Sequence, residues 1–533
     1  MREKMEINTP YSLIPMEKIK ILWADDEIDL LKPQIMFLGK RGYDVTTVTN
    51  GHDALEEVEE TDYEVVFLDE SMPGLTGLET LSQIKDKKPH LPVVMITKNE
   101  AEDVMEEAIG GQISDYLIKP VNPNQILLTL KKIIDHSRLV REKTNSDYQR
   151  EFRELMMTIN SGLSYEEWVE MYRRLVAWEI RLDDSQSEQM GDILAMQKSE
   201  ANGAFSKFVE RNYLDWVNER TEAPTMSHNL LRTKVFPEMD NEIPTILLVL
   251  DNLRYDQWKI IEPILTEVFR VEREEYFYSI LPTSTQYSRN AIFAGMMPGD
   301  IAKHFPKWWL NDNERGGKNQ HEHDLLAEQI KRTFRAPIRF DYLKVTNVAK
   351  GKDMQDNILN YLHNDLTVIV YNFIDMLSHA RTEMEVLKEL AGDERAYRSL
   401  TRSWFENSPV MNALRRAVEQ QEIQLMVTTD HGTIRVGTPS KVVGDRETTT
   451  NLRYKVGRNL KYESRDVLDV RDPAKAGLPR PNVSSTFIFA KDDKFFLYPN
   501  NYNKYHNYYH NTFQHGGISL EEVIVPMIYL RSR

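Results

Sequence analysis

The sequence predicts an α/β protein that combines a doubly wound (βα)5 domain, a helical bundle connector and a larger α/β sandwich domain. Three observations predict this fold class. Apolar strands alternate with helical stretches up to about residue 135, helical periodicity without strands fills residues 136–220, and fully apolar runs that end in Asp return after residue 243. A chain of 533 residues is too long for a single core. The expected domains are residues 16–137, 138–225 and 226–533.

Composition narrows the possible functions. The net charge of −16 and the pI of about 5.4 argue against a protein that binds nucleic acid over its whole surface. The chain has no cysteine, so any metal must be held by carboxylates, imidazoles or hydroxyls. The N-terminus lacks the apolar core of a signal peptide, and no apolar run is long enough to cross a bilayer. We expect a cytoplasmic protein without membrane contact, with Met16 as an alternative start.

Five apolar runs predict the first domain. They are IKILWA, YDVTTV, YEVVFL, LPVVMI and SDYLI, and their spacing suits a parallel sheet with helices on both faces. Polar residues follow the first, third, fourth and fifth strands: Asp25 and Asp26, Asp69, Thr97, and Lys119. Three carboxylates that meet at one sheet edge need a cation, and Mg²⁺ prefers such oxygen ligands. An Asp beside Mg²⁺ can accept a phosphoryl group, with Lys119 and Thr97 contacting its oxygens.

The motifs WADDE, FLDESMPGLTGLE, MITKNE and DYLIKPVNP make this region resemble the response-regulator receiver family. The resemblance implies Asp69 as the phospho-acceptor, a cis peptide before Pro120, and a sensor histidine kinase as partner. The implied Mg²⁺ ligands are Asp25, Asp26, Asp69 and the backbone carbonyl of Ser71. The implied switch residues are Thr97, Tyr116 and Lys119. Any one of these residues alone would be interpreted as a helix cap or a surface charge, but their combination favours the functional interpretation.

The middle segment is predicted to be helical. Ser164 and Glu167 form a capping box, after which apolar residues recur at helical spacing. This stripe consists of Trp168, Met171, Tyr172, Leu175 and Trp178. It indicates the core of a bundle of three or four helices, and the alternative is a partner or dimer face that phosphorylation exposes. Residues 221–244 carry three prolines and lose the periodicity, which predicts a linker.

Three apolar strands of the last domain are followed by candidate metal ligands. IPTILLVLD ends on Asp251, LTVIVYNFID ends on Asp375, and IQLMVTTDH ends on Asp430 and His431. Open α/β sheets place their chemistry at this edge. His379 lies four residues after Asp375, so the two share a helix face if a helix begins after the strand.

Thr285 and His515 complete the candidate site. Thr285 lies in LPTSTQYSRNAIFAG, a predicted turn into a helix, where the helix N-terminus and a bound metal would assist a hydroxyl nucleophile. His515 precedes Gly516 and Gly517, which let the backbone approach closely. Three carboxylates, three imidazoles and one hydroxyl suit two metal ions that bind both the attacking and the leaving oxygen of a displacement.

The order Asp, Thr, DxxxH, DH and H, with the flanking LDNLRYDQW, PTSTQYSRNAIFAG and TTDHG, resembles the alkaline phosphatase superfamily and most of all its PglZ branch. The resemblance covers roughly residues 240–533 and implies two Zn²⁺ ions. One ion would be held by Asp375, His379 and His515. The other would be held by Asp251, Asp430 and His431, with the Thr285 hydroxyl at the metals as nucleophile.

Each fragment also has a plainer interpretation. The DH and DxxxH pairs occur by chance, and His515 is compatible with a turn histidine near His506 and His510. Thr283 competes with Thr285, which is preferred as the second threonine of the PTxT pattern. The remaining histidines of this half are interpreted as surface or core residues: His304, His321, His323 and His363.

Residues 441–461 form a basic segment in an acidic protein, with six Lys and Arg against two Asp and Glu, a net +4. Tyr454 and Tyr462 are interleaved, so a phosphate-rich chain with bases to stack would suit this segment. A solvated charged loop fits the composition equally well. The candidate substrate-binding residues are Arg446, Arg453, Lys455 and Arg458.

The order of the three parts resembles PorX-type response regulators of type IX secretion. That resemblance implies a zinc phosphodiesterase that acts on oligonucleotides, linear or cyclic. It also implies homodimerisation on phosphorylation and an extracytoplasmic-function sigma factor as partner. The alternatives are a signalling module with a structural metal site, and a phosphomonoesterase or phosphomutase. Thr285 favours an enzyme, and the lack of a helix-turn-helix segment disfavours a DNA-binding output.

Overall fold

The computed structural model describes residues 19–98, 113–185, 188–240, 242–383 and 392–533. Met16, the expected alternative start, lies outside these residues. The chain divides into two compact units. The first consists of Met1–Asp147 with Asp184–Ser187, and the second of Tyr148–Asp183 with Glu188–Arg533.

The first unit contains a parallel sheet of five strands in the order β2-β1-β3-β4-β5. The strands are β1 (Ile19–Ala24), β2 (Tyr43–Val48), β3 (Val65–Asp69), β4 (Val93–Thr97) and β5 (Asp115–Ile118). Helices α1 (Lys32–Gly39), α2 (Gly51–Glu60) and α3 (Gly77–Lys87) connect strands, and α4 (Pro123–Ile159) follows β5. Apolar residues alternate along β1, so Leu22 and Ile21 lie in cores on opposite faces of the sheet. The predicted doubly wound domain is confirmed.

The expected connector is helical but interrupted. After α4 come α5 (Tyr165–Asp184) and α6 (Glu188–Val217). The first break contains Gly162, whose φ of 82° favours glycine, and the predicted capping box then starts α5 through Ser164 and Glu167. The aromatic stripe is buried, with Trp168 at 2 % exposure, and it belongs to one hydrophobic core with the C-terminal sheet. The stripe therefore forms part of this core and not an exposed partner face.

The predicted linker is also packed. Residues 226–238 form short 3-10 and π turns, and Leu230, Leu231 and Val235 are fully buried. The prediction of a plain linker is wrong because its apolar side chains fill part of the second unit's core.

The central sheet of the second unit has the order β7-β18-β10-β6-β9-β8. Its parallel strands are β6 (Thr245–Leu250), β8 (Phe340–Val345), β9 (Leu366–Tyr371) and β10 (Gln424–Thr428). Strand β18 (Ile524–Ser532) runs antiparallel to both of its neighbours, β10 and β7 (Phe269–Tyr278). Because β10, β6 and β9 are neighbours, the residues after their carboxyl ends meet at one edge.

Helices connect these strands, and the short strands pair in separate small sheets. The helices are α7 (Tyr255–Leu265), α8 (Thr285–Ala294), α9 (Pro298–His304), α10 (Glu322–Thr333), α11 (Val348–Asn357), α12 (Phe373–Glu383), α13 (Glu394–Glu406), α14 (Pro409–Gln420), α15 (Tyr502–Tyr509) and α16 (Leu520–Val523). The short strands are β11 (Ile434–Arg435), β12 (Thr438–Lys441), β13 (Tyr454–Gly457), β14 (Val467–Val470), β15 (Thr486–Ala490), β16 (Lys494–Leu497) and β17 (Phe513–Gln514).

One strand boundary differs from the prediction. The run LTVIVYNFID is strand only to Tyr371, and Asp375 lies in the first turn of helix α12. Asp375 and His379 are therefore both helical, one turn apart. Among the helices of the described residues, none combines the length and apolar character that crossing a membrane requires.

Candidate functional site

The C-terminal site lies where β6, β9 and β10 end. The six predicted ligands form two groups, and within each group one ligand atom per residue lies within 4.8 Å of the others. We call the first group the histidine-rich half-site: Asp375, His379 and His515. We call the second the aspartate-rich half-site: Asp251, Asp430 and His431. The structure therefore brings together residues that are up to 264 positions apart (Asp251 and His515).

The two half-sites adjoin. The imidazoles of His431 and His515, one from each half-site, are stacked with ring centroids 4.3 Å apart. Asn252 also links them, since its backbone N–H donates to Asp430 (3.3 Å) and its side chain donates to Asp375 (3.4 Å). The φ of Asn252 is 68°, in the left-handed region that residues other than glycine rarely adopt. The strained turn after β6 thus connects both groups of ligands.

The histidines present the correct nitrogen for a metal. His431 Nδ1 lies 3.0 Å from the Gly432 carbonyl, and His515 Nδ1 lies 3.0 Å from the Thr283 carbonyl. A carbonyl only accepts, so each Nδ1 carries the hydrogen and each Nε2 keeps a free lone pair. Backbone contacts of this kind orient metal-binding imidazoles.

The carboxylates also fit a metal. Asp251 and Asp430 are fully buried, and the Oδ2 atom of each lacks a hydrogen bond of good geometry. Burial raises the pKa of Asp251, and burial together with the Asp251 charge raises the pKa of Asp375 to about 6. Buried carboxylates that repel each other are stabilised by a divalent ion. This donor set of oxygens and imidazole nitrogens suits Zn²⁺.

Thr285 is the first residue of helix α8, and its hydroxyl faces the ligands. Its Oγ1 lies 3.4 Å from Asp251 Oδ1 and 3.2 Å from His431 Nε2, either of which can accept the one hydrogen of the hydroxyl. The preceding Ser284 provides no side-chain cap, so the first amides of α8 are available to an anion. A phosphoryl group at Thr285 would lie at the positive end of this ten-residue helix.

Thr283, the competing hydroxyl, has a structural role. It is fully buried, donates to the Gly517 carbonyl (3.0 Å) and accepts from the Gly516 N–H (3.0 Å). It therefore holds the loop that carries His515. Of the two threonine hydroxyls, only that of Thr285 contacts candidate metal ligands within the described residues.

Arg289 and Glu322 are part of the site although the sequence analysis missed them. Arg289 is 1 % exposed and lies one turn after Thr285 on α8. Its Nη1 is 2.8 Å from Asp251 Oδ2, and its Nε donates to Glu322 Oε1 at 2.6 Å. The spacing of four residues from Thr285 was a usable signal for Arg289. Glu322 has no comparable signal in the sequence.

Two of the four predicted substrate-binding residues are not at the surface, which corrects that prediction. Arg453 is fully buried and pairs with Glu522 at 2.6 Å, so its charge is neutralised inside the protein. Lys455 is 1 % exposed and donates to the Thr449 carbonyl. Arg458 pairs with Asp445 and Glu447. Arg446 is exposed. Arg453 immediately precedes β13, and Lys455 lies within it, paired with Ile488 of β15.

The receiver site of the first unit is a second acidic cluster. Asp25, Asp26 and Asp69 offer oxygens within 4.8 Å of one another. Lys119 Nζ lies 2.9 Å from Asp25 and 2.8 Å from Asp69. Burial raises the pKa of Asp69, whereas Lys119 acts in the opposite direction. Burial lowers the pKa of Lys119, but Asp69 and Asp25 outweigh it and the net change is upward.

The other receiver residues take separate positions. The Lys119–Pro120 peptide is cis, as predicted. Thr97 ends β4, and its hydroxyl donates to Glu70. Tyr116 lies in β5 with 42 % exposure, and Ser71 is exposed two residues after β3. The carboxylates and Lys119 are thus assembled, while Tyr116 faces solvent.

Family models match three consecutive regions. The model of the BREX system PglZ alkaline phosphatase-like domain matches residues 230–530. The model of the PorX response regulator linker domain matches residues 138–217, and that of the response regulator receiver domain matches residues 21–131. The order of the three matches is the one expected for a PorX-type regulator.

Curated relatives match the first region. ZraR of Klebsiella oxytoca is 37 % identical over 123 residues, 23 % of this chain and 28 % of that protein. ResD of Bacillus subtilis is 31 % identical over 22 % of this chain and 48 % of its own length. Both are named transcriptional regulatory proteins, and this chain spans less than half of either. The solved structure of CheY4 from Vibrio cholerae is 27 % identical, with a TM-score of 0.21, and covers 22 % of this chain and 98 % of its own.

Proposed function

This chain belongs to the PglZ family of alkaline phosphatase-like proteins and has the receiver and linker of a PorX-type response regulator; on that premise we propose that phosphorylation of Asp69 controls a zinc phosphodiesterase that acts on oligonucleotides, linear or cyclic. The observation that carries the proposal is the position of the Thr285 hydroxyl. It lies between Asp251 and His431 of the aspartate-rich half-site, which adjoins the histidine-rich half-site.

Thr285 is the nucleophile in this proposal. Its Oγ forms a bond to phosphorus while the bond from phosphorus to the leaving oxygen breaks, and water later cleaves the phosphothreonine. The hydroxyl can donate its one hydrogen to Asp251 or to His431, so a lone pair of Oγ remains for the incoming phosphate. The free amides at the start of α8 would bind the phosphoryl oxygens that gain charge.

The proposed Zn²⁺ ligands are those of the two half-sites, with the Thr285 hydroxyl at the aspartate-rich one. Zinc, when bound, would lower the pKa of that hydroxyl and neutralise charge on the phosphate and the leaving oxygen. The protein contributes buried carboxylates and imidazoles whose Nδ1 atoms are already fixed by backbone carbonyls.

The input is proposed to be the acidic cluster around Asp69, loaded by a sensor histidine kinase with Mg²⁺ bound by Asp25, Asp26, Asp69 and the Ser71 carbonyl. Lys119 is positioned for a phosphoryl oxygen because it already contacts Asp69. Thr97 and Tyr116 are the proposed switch. Homodimerisation on phosphorylation, a sigma-factor partner and a role in type IX secretion are proposed on the resemblance to PorX-type regulators.

Two synthetic substrates separate the candidate activities. The zinc-loaded protein is incubated with bis-p-nitrophenyl phosphate and with p-nitrophenyl phosphate, then with linear and cyclic oligonucleotides. Hydrolysis of the diester supports the proposal, whereas hydrolysis of the monoester alone favours a phosphomonoesterase. Hydrolysis of none of them, with zinc bound, favours a signalling module with a structural metal site.

Thr285→Ala tests the nucleophile. It is expected to bind zinc normally and to lose turnover by at least about 10³-fold, because it removes the hydroxyl that contacts Asp251 and His431. Thr438→Ala, an exposed threonine on β12, is the matched control and should behave as wild type. Retained turnover in Thr285→Ala would contradict the assignment.

Asp69→Ala tests the input. The variant should keep its zinc content and basal activity but lose any response to acetyl phosphate, in turnover or in oligomeric state. Asp62→Ala, which removes an exposed carboxylate, is the control. An unchanged response in Asp69→Ala means that phosphorylation occurs elsewhere.

A further inference from the structure

Arg289 brings a permanent positive charge into the aspartate-rich half-site. Its Nη1 lies 2.8 Å from Asp251 Oδ2 and 3.8 Å from Asp430 Oδ2. Both oxygens, and Nη1 itself, lack a hydrogen bond of good geometry. The guanidinium therefore faces the same oxygens that would bind a metal ion.

The position of Arg289 is set by a closed network. Glu322, which is 1 % exposed, accepts from Arg289 Nε, from the Tyr342 hydroxyl and from Lys344 Nζ. Lys344 also donates to the Asn319 carbonyl at 2.7 Å, and the Asn319 side chain donates to the Thr285 carbonyl at 3.0 Å. The network thus begins and ends on α8, so Arg289 cannot turn away without breaking several buried contacts.

Formal charges show what this cation does. The carboxylates of Asp251, Asp430, Asp375 and Glu322 oppose the cations of Arg289 and Lys344, which leaves two negative charges. One divalent ion neutralises this group. A second divalent ion has to bind beside Arg289 in a buried environment where like charges repel strongly.

The histidine-rich half-site has a different surrounding. Asp375 contacts the imidazoles of His379 and His515 and the side-chain amide of Asn252. Two imidazoles and one carboxylate form a set of three ligands typical of zinc. No guanidinium contacts Asp375 within the described residues.

We propose that Arg289 is a resident cation that makes the two half-sites unequal, so that zinc binds tightly at the histidine-rich half-site and weakly, as an exchangeable ion, at the aspartate-rich half-site beside Thr285. This inference rests on the proposed function for the identity of the metal. It makes Arg289 a positioning residue that sets the charge of the site. Occupancy of the second ion then depends on the free zinc concentration.

Zinc affinity measures this directly, without turnover. Full-length Asp375→Asn protein, in which the histidine-rich half-site is weakened, is titrated with zinc against a chromophoric chelator to isolate the aspartate-rich half-site. In this background Arg289→Gln should raise zinc affinity at least about tenfold, because it removes a like charge. Arg289→Lys keeps the charge and should stay within about threefold of the parent. The exposed Arg402→Gln is the matched control and should change nothing.

Glu322→Gln is expected to change zinc affinity in the opposite direction to Arg289→Gln. It removes a negative charge that offsets Arg289, so zinc affinity at the aspartate-rich half-site should fall at least about tenfold. Circular dichroism shows whether Arg289→Gln folds. If it does not, the zinc affinities of Glu322→Gln and Arg289→Lys test the inference instead. An affinity that is unchanged or lower in Arg289→Gln, or unchanged in Glu322→Gln, would overturn the inference.

The outcomes also separate this inference from the proposed function. Unequal zinc affinities that respond to Arg289 and Glu322 as expected, with no hydrolysis of any phosphoester, would leave the charge effect standing and remove the phosphodiesterase. Diester hydrolysis in a protein whose zinc affinities do not change with either residue would support the phosphodiesterase and remove the charge effect.

Discussion

Lys455 provides a prediction whose size follows from its surroundings. The side chain is 1 % exposed, its Nζ donates to the Thr449 carbonyl at 2.9 Å, and it lies 4.7 Å from the centre of the Tyr498 ring. Burial lowers its pKa from 10.5 to about 7. At neutral pH Lys455 is therefore deprotonated in part of the folded molecules, whereas it is protonated in the unfolded chain.

Proton binding determines the direction in which the stability of the protein changes with pH. Between about pH 7 and pH 10.5 the unfolded state binds more protons at Lys455 than the folded state, so this residue makes stability rise with pH. From pH 7.0 to 8.5 the gain is about 1.6 kcal/mol. Lys455→Met removes the titrating group, so the variant should lack this rise and should be more stable than wild type at pH 7.

Urea unfolding followed by tryptophan fluorescence at pH 7.0, 7.5, 8.0 and 8.5 measures the effect. The chain has no cysteine, so no thiol titrates in this range. Lys461→Met, which removes an exposed lysine, should keep the wild-type slope. Equal slopes in wild type and Lys455→Met would refute the reasoning. A rise in KM for an oligonucleotide in Lys455→Met would restore the substrate-binding role that its burial argues against.

Three further predictions concern metal, a buried ion pair and a glycine. Removing zinc with a chelator should lower the melting temperature, because an ion at about 100 times its Kd stabilises the folded state by about 2.7 kcal/mol; no shift on adding zinc back would exclude a folded-state site. Arg453→Met should cost about 3–5 kcal/mol in urea unfolding because it leaves Glu522 buried without its partner, and adding Glu522→Gln should recover part of the loss. Gly516→Ala should reduce bound zinc at the histidine-rich half-site, since Gly516 has a φ of 118° and a Cβ there would lie 2.5 Å from the Tyr454 ring. Wild-type zinc content in that variant would contradict the last prediction.

The sequence predicted the strand ends well because parallel strands repeat a simple pattern. In the second unit, β6 ends at Leu250 directly before Asp251, and β10 ends at Thr428, two residues before Asp430. Asp375 departed from the pattern, since its strand ends at Tyr371 and a helix intervenes. A short apolar run gives no signal for the exact residue at which strand becomes helix.

The prediction for the basic segment failed for a physical reason. Composition counts charges but does not show which of them find partners, and Arg453 is paired with Glu522, 69 positions away. Lys455 is buried in β13, where it is paired with Ile488 of β15, 33 positions away. Burial of a charge therefore depends on contacts that no local pattern contains.

The sequence by itself determined the (βα)5 domain, the apolar strands of the larger domain and the residue types available to hold a metal. Local periodicity carries this information, and the absence of cysteine limits the ligands to oxygen and imidazole nitrogen. Only the tertiary structure decided that Arg289 shares Asp251 with a candidate metal site and that Glu322 holds it there. The strand order β10-β6-β9 is the reason, because it places the ends of three distant strands side by side and makes their charges act on one another.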